Sequence, residues 1–164
     1  MPLTHEPIDF RDTPCLRLRN EGATALVALH GAQVLSWVPA DGRERLFVGE
    51  RTQSGAGSAI RGGIPVVFPQ FGERGALRKH GFARLLGWSF AGIEDDTARF
   101  ELGDGPDTAE WPHAFLCRLS VRLSATRLAV ALEVENSGEA SFGFTAALHT
   151  YLRVDDIAHA WVEG

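Results

Sequence analysis

The stretch from residue 61 to residue 84 constrains the fold more than any other part of the chain. It contains five glycines and two prolines, so its backbone must bend repeatedly and cannot continue as one strand or one helix. The large apolar side chains of Phe68, Phe71 and Phe82 lie between these residues, which indicates that the bends are packed against a core. The sequence therefore predicts an ordered, glycine-rich loop in this region.

The same stretch is basic, unlike the chain as a whole. It carries five arginine and lysine side chains against a single carboxylate, Glu73, whereas the full chain has a net charge of −5. An ordered basic loop within an acidic protein is a candidate binding site for a small anion. The acidic balance of the remainder argues against nucleic acid as a partner.

The length of 164 residues indicates a single domain, which we expect to span residues 1–164. The N-terminus lacks the basic and apolar regions of a signal peptide, and no apolar run approaches the ~20 residues that cross a bilayer. Cys15 and Cys117 lie far apart in apolar runs, which favours buried, reduced thiols over a disulfide. We therefore expect a cytoplasmic protein that does not associate with membranes.

Short apolar runs separated by turn residues predict antiparallel strands outside the central stretch. Apolar residues alternate with polar ones along residues 115–123 and 127–135, and no amphipathic helix pattern occurs. Further strands are expected at residues 23–30, 32–38, 45–48, 86–90, 97–102 and 141–154, and residues 108–112 are expected to form a loop or one helical turn. The sequence therefore predicts an all-β sandwich of antiparallel strands.

The sequence lacks the motifs of two common hydrolase classes. Its six histidines show no HExxH or paired metal-ligand spacing, so we expect no metal site. No G-x-S-x-G segment, which positions the nucleophile of many serine hydrolases, occurs. Neither a metal-dependent hydrolase nor a serine hydrolase is favoured.

Four short segments together carry a resemblance to a known family. They are Ile60–Pro65 (IRGGIP), Phe68–Gly72 (FPQFG), Lys79–Arg84 (KHGFAR) and His149–Ile157 (HTYLRVDDI). In this order they resemble the hexose-6-phosphate mutarotases, or glucose-6-phosphate 1-epimerases, a branch of the aldose 1-epimerase superfamily. The resemblance implies a sandwich of the galactose mutarotase-like type, with a small sugar phosphate as its substrate.

The implied activity is the interconversion of the α and β anomers of a hexose 6-phosphate such as glucose 6-phosphate. A base removes the proton of the C1 hydroxyl and an acid protonates the ring oxygen, so no cofactor is required. Histidine suits the acid because its ordinary pKa of ~6.5 lies near working pH. His149 matches the family's catalytic-acid histidine, and His80 matches a histidine that holds the sugar ring.

Three further residues are expected to bind the substrate. Arg61 and Arg84 are assigned to the phosphate, because guanidinium groups form paired charge-assisted hydrogen bonds with phosphate oxygens. Gln70 is a predicted ligand of a sugar hydroxyl, since an amide both donates and accepts hydrogen bonds. It is equally suited to holding the bend at Pro69. Tyr151 could offer aromatic surface to the sugar, but it is expected to pack in the core.

Each site residue also has a purely structural interpretation. His149 could be a core histidine satisfied by a backbone partner, and His80 a turn residue packed on Phe82. Either arginine could be a solvated surface side chain. The family motif and the local basic charge together favour the site for all of these residues.

The resemblance covers only the N-terminal and central part of the family. Family members continue beyond the second histidine, and a glutamate from that region acts as the base; neither Glu73 nor Glu163 stands in its sequence context. We therefore expect a sandwich truncated at its C-terminus, with open sheet edges. Two alternatives to an epimerase stay open, namely a noncatalytic carbohydrate-phosphate binding module and an inactive fragment that requires a complementing C-terminal fragment.

Overall fold

Antiparallel strands form most of the regular structure in the computed structural model, which describes residues 2–50 and 57–163. The strands are β1 (Thr4–Phe10), β2 (Thr13–Asn20), β3 (Ala23–Ala28), β4 (Gln33–Val38), β5 (Val66–Val67), β6 (Ser89–Glu94), β7 (Thr97–Gly103), β8 (Phe115–Leu123), β9 (Leu128–Asn136) and β10 (Ala147–Leu148). Single 3₁₀ turns occur at Ala83–Leu85, Pro106–Thr108 and Ile157–His159. None of the helical segments in the described ranges is long and apolar enough to cross a membrane.

Two four-stranded sheets are built from strands that follow one another along the chain. Their orders are β1-β2-β3-β4 and β6-β7-β8-β9, and all neighbouring strands are antiparallel. Tight turns make this possible; Asp95 and Asp96, between β6 and β7, have φ values of 49° and 56°. Aspartate tolerates this left-handed conformation better than most residues. A third, two-stranded sheet pairs β5 with β10.

The two four-stranded sheets enclose one hydrophobic core. Leu18 and Val27 from the first sheet and Phe100, Leu119 and Val121 from the second are fully buried in the same cluster. Along β8 buried residues alternate with half-buried or exposed ones, as the period-two sequence pattern predicted. The predicted all-β antiparallel sandwich is confirmed. That residues 1–164 form a single domain stays a prediction.

Two predicted strands are shorter than expected. Residues 45–48 form only isolated bridges, in which Leu46 faces Leu152 and Val48 faces Gly62, and the predicted strand at 141–154 is reduced to β10. Both segments pair with the central stretch or with each other. Because glycines and prolines interrupt the central stretch, it cannot offer a continuous ladder of hydrogen bonds to a long partner strand.

The first strand, β1, was not predicted. It forms one edge of its sheet, and most of its side chains are exposed. An exposed edge strand lacks the alternation of apolar and polar residues that identifies half-buried strands. Glu6 of this strand accepts hydrogen bonds from Arg17 and Arg19 of β2, which places charged side chains along the edge.

The core is open along β9. One face of this strand carries apolar side chains that pack against the core yet remain half-exposed, namely Leu128, Val130, Leu132 and Val134. Large apolar side chains are also exposed after β10, including Ile157 at 81% and Trp161 at 78%. We refer to the apolar face of β9 as the open face.

Candidate functional site

The central stretch is packed onto the core, as predicted from its sequence. Residues 62–70 are all buried. Phe68 has no exposed surface, and its ring lies 5.3–6.1 Å from those of Phe82, Trp111, Phe115 and Phe144, measured between centroids. Aromatic pairs at such distances add to the stabilisation from area burial. The bends therefore form a fixed platform for the site.

Two glycines hold the backbone around Arg61 close to the rest of the protein. Gly62 and Gly63 have φ values of 121° and 62°. A Cβ atom would meet the carbonyl oxygen of Phe47 at the first position and that of Val34 at the second. Only glycine combines this conformation with so close a backbone approach.

A buried glutamine that was not predicted as functional supports the same segment. The Nε2 group of Gln33 on β4 donates to the carbonyl oxygens of Ile60 at 3.2 Å and Gly62 at 2.6 Å. These are the two neighbours of Arg61, so Gln33 fixes the backbone on both sides of that residue. The sequence feature that could have indicated this role is the single amide side chain within the apolar run at residues 32–35.

The segment from residue 145 to 151 brings His149 beside the central stretch. The backbone N–H of His149 donates to Pro65 at 3.0 Å, and that of Tyr151 donates to Gly63 at 2.8 Å. The ring of exposed His149 lies 6.0 Å from that of His80 and 4.9 Å from that of Tyr151. The structure thus brings together the two predicted histidines, which lie 69 positions apart in the sequence.

His80 is held in an unusual backbone conformation. Its φ is 67°, its N–H donates to the carbonyl oxygen of Gly72 at 3.0 Å, and its Nδ1 accepts from the N–H of Gly72 at 3.2 Å. The side chain packs on Phe71, with ring centroids 5.5 Å apart. Burial lowers the pKa of His80, and the positive charges of Arg84, His149 and Lys79 lower it further.

Arg84 and Arg61 lie near enough to interact electrostatically. Arg84 is half-buried in the 3₁₀ turn and donates from Nη2 to the carbonyl oxygen of Lys79 at 3.0 Å. Within the described residues, its Nε is buried without a hydrogen-bond partner. Burial lowers the pKa of Arg84; Tyr151 opposes this change and Arg61 reinforces it. A bound anion would relieve the repulsion between the two guanidinium groups.

Gln70 lies beneath the loop that leads to His80. The side chain is 4% exposed; its Nε2 donates to the carbonyl oxygens of Gly72 at 3.2 Å and Leu77 at 3.0 Å, and its Oε1 accepts from the N–H of Leu77 at 3.0 Å. This geometry favours the bend-holding interpretation of Gln70 over the hydroxyl-ligand interpretation.

The remaining basic residues of the loop are exposed and lie near other side chains. Arg78 forms an ion pair with Glu110 at 3.0 Å, and Lys79 lies 3.9 Å from Glu73. Such exposed pairs contribute little to stability. The basic field of the loop is therefore partly balanced by nearby carboxylates.

Tyr151 was expected in the core, and this expectation was wrong. The side chain is 38% exposed and stacks beside His149. The segment that contains Tyr151 forms backbone hydrogen bonds with the central stretch, so the side chains of this segment are not enclosed between the two four-stranded sheets. Tyr151 thus joins the surface that carries the two histidines.

No cluster of three His, Cys, Asp or Glu residues suited to a metal ion occurs in residues 2–50 and 57–163. Of the two carboxylates considered as a base, Glu73 lies beside Lys79, and Glu163 accepts a hydrogen bond from the indole of Trp161 at 3.2 Å. The described site therefore consists of two histidines, two arginines and a tyrosine on one open surface.

Comparison with known proteins gives relatives that share one provisional name. A 40% identical protein from Escherichia coli (strain K12) matches over 147 residues, and a 36% identical protein from Cenchrus ciliaris matches over 156; both carry the provisional name glucose-6-phosphate 1-epimerase. Each match covers 85% of this chain, but only 48% and 46% of the respective relative. The chain thus spans about half the length of these relatives.

Solved structures agree with the fold. The crystal structure of a provisionally named mutarotase from Salmonella typhimurium superposes with a TM-score of 0.81 at 33% identity, covering 94% of this chain and 53% of that one. A galactose mutarotase-like protein from Lactobacillus casei superposes with a TM-score of 0.69 at 22% identity, covering 80% of this chain and 47% of that one, which supports the fold alone. The predicted galactose mutarotase-like architecture is confirmed.

The family model described as aldose 1-epimerase matches residues 14–164 of the sequence. This range includes all four segments on which the resemblance rests and the site that they form. The chain therefore belongs to the aldose 1-epimerase family.

Proposed function

We propose that the chain binds a hexose 6-phosphate and takes part in interconverting its α and β anomers. The observation that carries the proposal is the pair of histidine rings 6.0 Å apart, with Arg84 close enough to affect the pKa of His80. The side chains proposed for proton transfer and for phosphate binding are thus close together. The names of the relatives from Escherichia coli and Cenchrus ciliaris support the choice of glucose 6-phosphate.

Each side chain has a defined part in the proposed reaction. Arg61 and Arg84 bind the phosphate, and His80 holds the sugar ring. His149 donates its proton to the ring oxygen while a base removes the proton of the C1 hydroxyl. The bond between C1 and the ring oxygen then breaks, the aldehyde rotates about the C1–C2 bond, and closure on its other face gives the second anomer.

The base is proposed to come from further strands that complete the sandwich. The open face supports this, because Leu132 and its apolar neighbours on β9 are half-exposed where a completed core would cover them. The relatives, about twice as long as this chain, supply the length that such strands require. Complementing C-terminal strands are therefore the proposed partner. The proposed location is the cytoplasm.

A noncatalytic sugar-phosphate binding module is the second candidate. It is favoured by the positions of Glu73 and Glu163, which lie against Lys79 and Trp161 respectively. The two candidates share the phosphate site and differ only in proton transfer. Binding measurements therefore test what they share, and exchange measurements separate them.

Titration of the chain with glucose 6-phosphate, glucose and inorganic phosphate, followed by NMR, tests the shared part. We expect glucose 6-phosphate to bind more tightly than either of the others. Arg61→Ala should weaken the binding of glucose 6-phosphate by about tenfold or more, because a pair of charge-assisted hydrogen bonds is lost. The binding of glucose should stay unchanged. Arg122→Ala, at an exposed position of β8, is the control. Equal losses for both sugars would remove Arg61 from the phosphate role.

A further inference from the structure

Gln70 ties together both ends of the loop segment at residues 72–77. Its Nε2 reaches the carbonyl oxygens of Gly72 and Leu77, and its Oε1 accepts from the N–H of Leu77. The side chain is buried, so these hydrogen bonds are partly shielded from water. A Cβ atom at Gly75 would collide with Oε1 of Gln70, which shows how closely the loop encloses the amide.

Gly72 links this amide to His80. Its carbonyl oxygen accepts from Nε2 of Gln70 at 3.2 Å and from the backbone N–H of His80 at 3.0 Å. Its own N–H donates to Nδ1 of His80 at 3.2 Å. One peptide segment is therefore held by Gln70 on one side and contacts the imidazole on the other.

The hydrogen bond to Nδ1 determines which nitrogen of His80 carries the proton. A backbone N–H can only donate, so Nδ1 must be the unprotonated acceptor, and the single N–H of a neutral imidazole then lies at Nε2. The neutral form is also favoured by burial and by the nearby charges of Arg84, His149 and Lys79. The ring thus presents one donor, at Nε2.

We propose that Gln70 is a positioning residue: by holding Gly72 it keeps His80 as a neutral Nε2–H donor directed at the substrate oxygens. The use of that donor by a sugar rests on the proposed function, whereas the control of the tautomer does not. Loss of the amide would free Gly72 to turn away from Nδ1. His80 would then exchange between its two tautomers and lose its fixed orientation.

Nitrogen-15 NMR of the imidazole rings at pH 7.5 tests the proposal, because it distinguishes protonated from unprotonated ring nitrogens. We expect wild-type His80 to show an unprotonated Nδ1 and a protonated Nε2. Gln70→Glu has nearly the same shape, and its ionised carboxylate cannot donate to Gly72, so it should give averaged signals from both tautomers. Asn20→Asp is the control, since it removes another buried amide that donates to a carbonyl, that of Leu123 at 2.8 Å.

A second variant keeps the test decisive if Gln70→Glu does not fold. Gly75→Ala retains the amide of Gln70 but displaces it, and this variant should produce the same averaging at His80. Glucose 6-phosphate affinity should fall by about tenfold in both loop variants and not in Asn20→Asp. A protonated Nδ1 in the wild-type protein, or an unchanged tautomer in both folded variants, would overturn the proposal. If the wild-type chain fails to bind the sugar phosphate, the proposed function fails, while the tautomer result stands independently.

Discussion

His80 combines three properties that its sequence position alone does not reveal. It has a left-handed backbone, a hydrogen-bonded Nδ1 and a ring packed between Phe71 and His149. The family motif predicts that His80 belongs to the site, and this stays a prediction. The motif was not sufficient to predict the partner of Nδ1, because Gly72 lies eight positions earlier and approaches only after the loop has closed.

The lowered pKa of His80 predicts a contribution to the pH dependence of stability. Below the ordinary histidine pKa of ~6.5 the unfolded chain binds a proton at this position more readily than the folded chain does. The stability due to the neutral ring is therefore present above that pH and is lost as pH falls through the folded pKa. His80→Asn, which tolerates the positive φ, should reduce the loss of unfolding free energy between pH 7 and pH 5.

Urea unfolding at pH 7 and at pH 5 gives the unfolding free energy at each pH, and the difference is the pH dependence to be compared. His5→Asn, at an exposed position of β1, serves as the control and should retain the pH dependence of the wild-type protein. An unchanged pH dependence in His80→Asn would show that the ring is not held neutral by its surroundings.

At the scale of elements, the strands and the loop differed in how well the sequence predicted them. β7, β8 and β9 were predicted nearly to their ends, because alternating burial leaves an alternating pattern. β1 left no such pattern, since both of its faces are largely exposed. In the loop, the residue type of Gln70 left two interpretations open, and its contacts with Gly72 and Leu77 favour one of them. The position of Tyr151 was predicted wrongly, because its segment is held by a hydrogen bond to Gly63, which is distant in sequence.

Gln33 illustrates a dependence between elements that motifs do not reveal. It lies on β4, carries no family motif and yet bonds to both neighbours of Arg61. Gln33→Leu would leave two buried carbonyl groups without their donor. We expect a loss of about 1–3 kcal/mol in unfolding free energy and weaker binding of glucose 6-phosphate, because Arg61 is no longer held in place.

A matched comparison separates these two effects. Leu18→Ala removes a fully buried core side chain distant in sequence from Gly62 and should cost about 2–5 kcal/mol of unfolding free energy. Its affinity for glucose 6-phosphate should nevertheless stay unchanged. If Gln33→Leu binds the sugar phosphate as tightly as the wild-type protein, Gln33 supports the fold but not the position of Arg61.

At the scale of the whole molecule, the sandwich carries both the cluster of candidate site residues and exposed apolar side chains. The histidines and arginines are in place, whereas the apolar residues of β9 and residues such as Ile157 and Trp161 are exposed. This distribution agrees with a chain that spans about half the length of its relatives. The resemblance predicts a site in this part of the chain and a truncated sandwich, because the motifs of the first part of the family are present and the glutamate motif is not; both stay predictions.

The most direct test of the account is the rate of anomer exchange, measured by magnetisation-transfer NMR with glucose 6-phosphate and with glucose. This chain is measured alone and fused to the part of the Escherichia coli relative that follows the matched region. We predict binding without acceleration for the chain alone, and acceleration selective for glucose 6-phosphate for the fusion. His149→Ala in the fusion should lower the rate by about 10²-fold or more while binding persists. Undiminished exchange in that variant, or equal acceleration for glucose, would contradict the assignment of His149 and its neighbours to this chemistry.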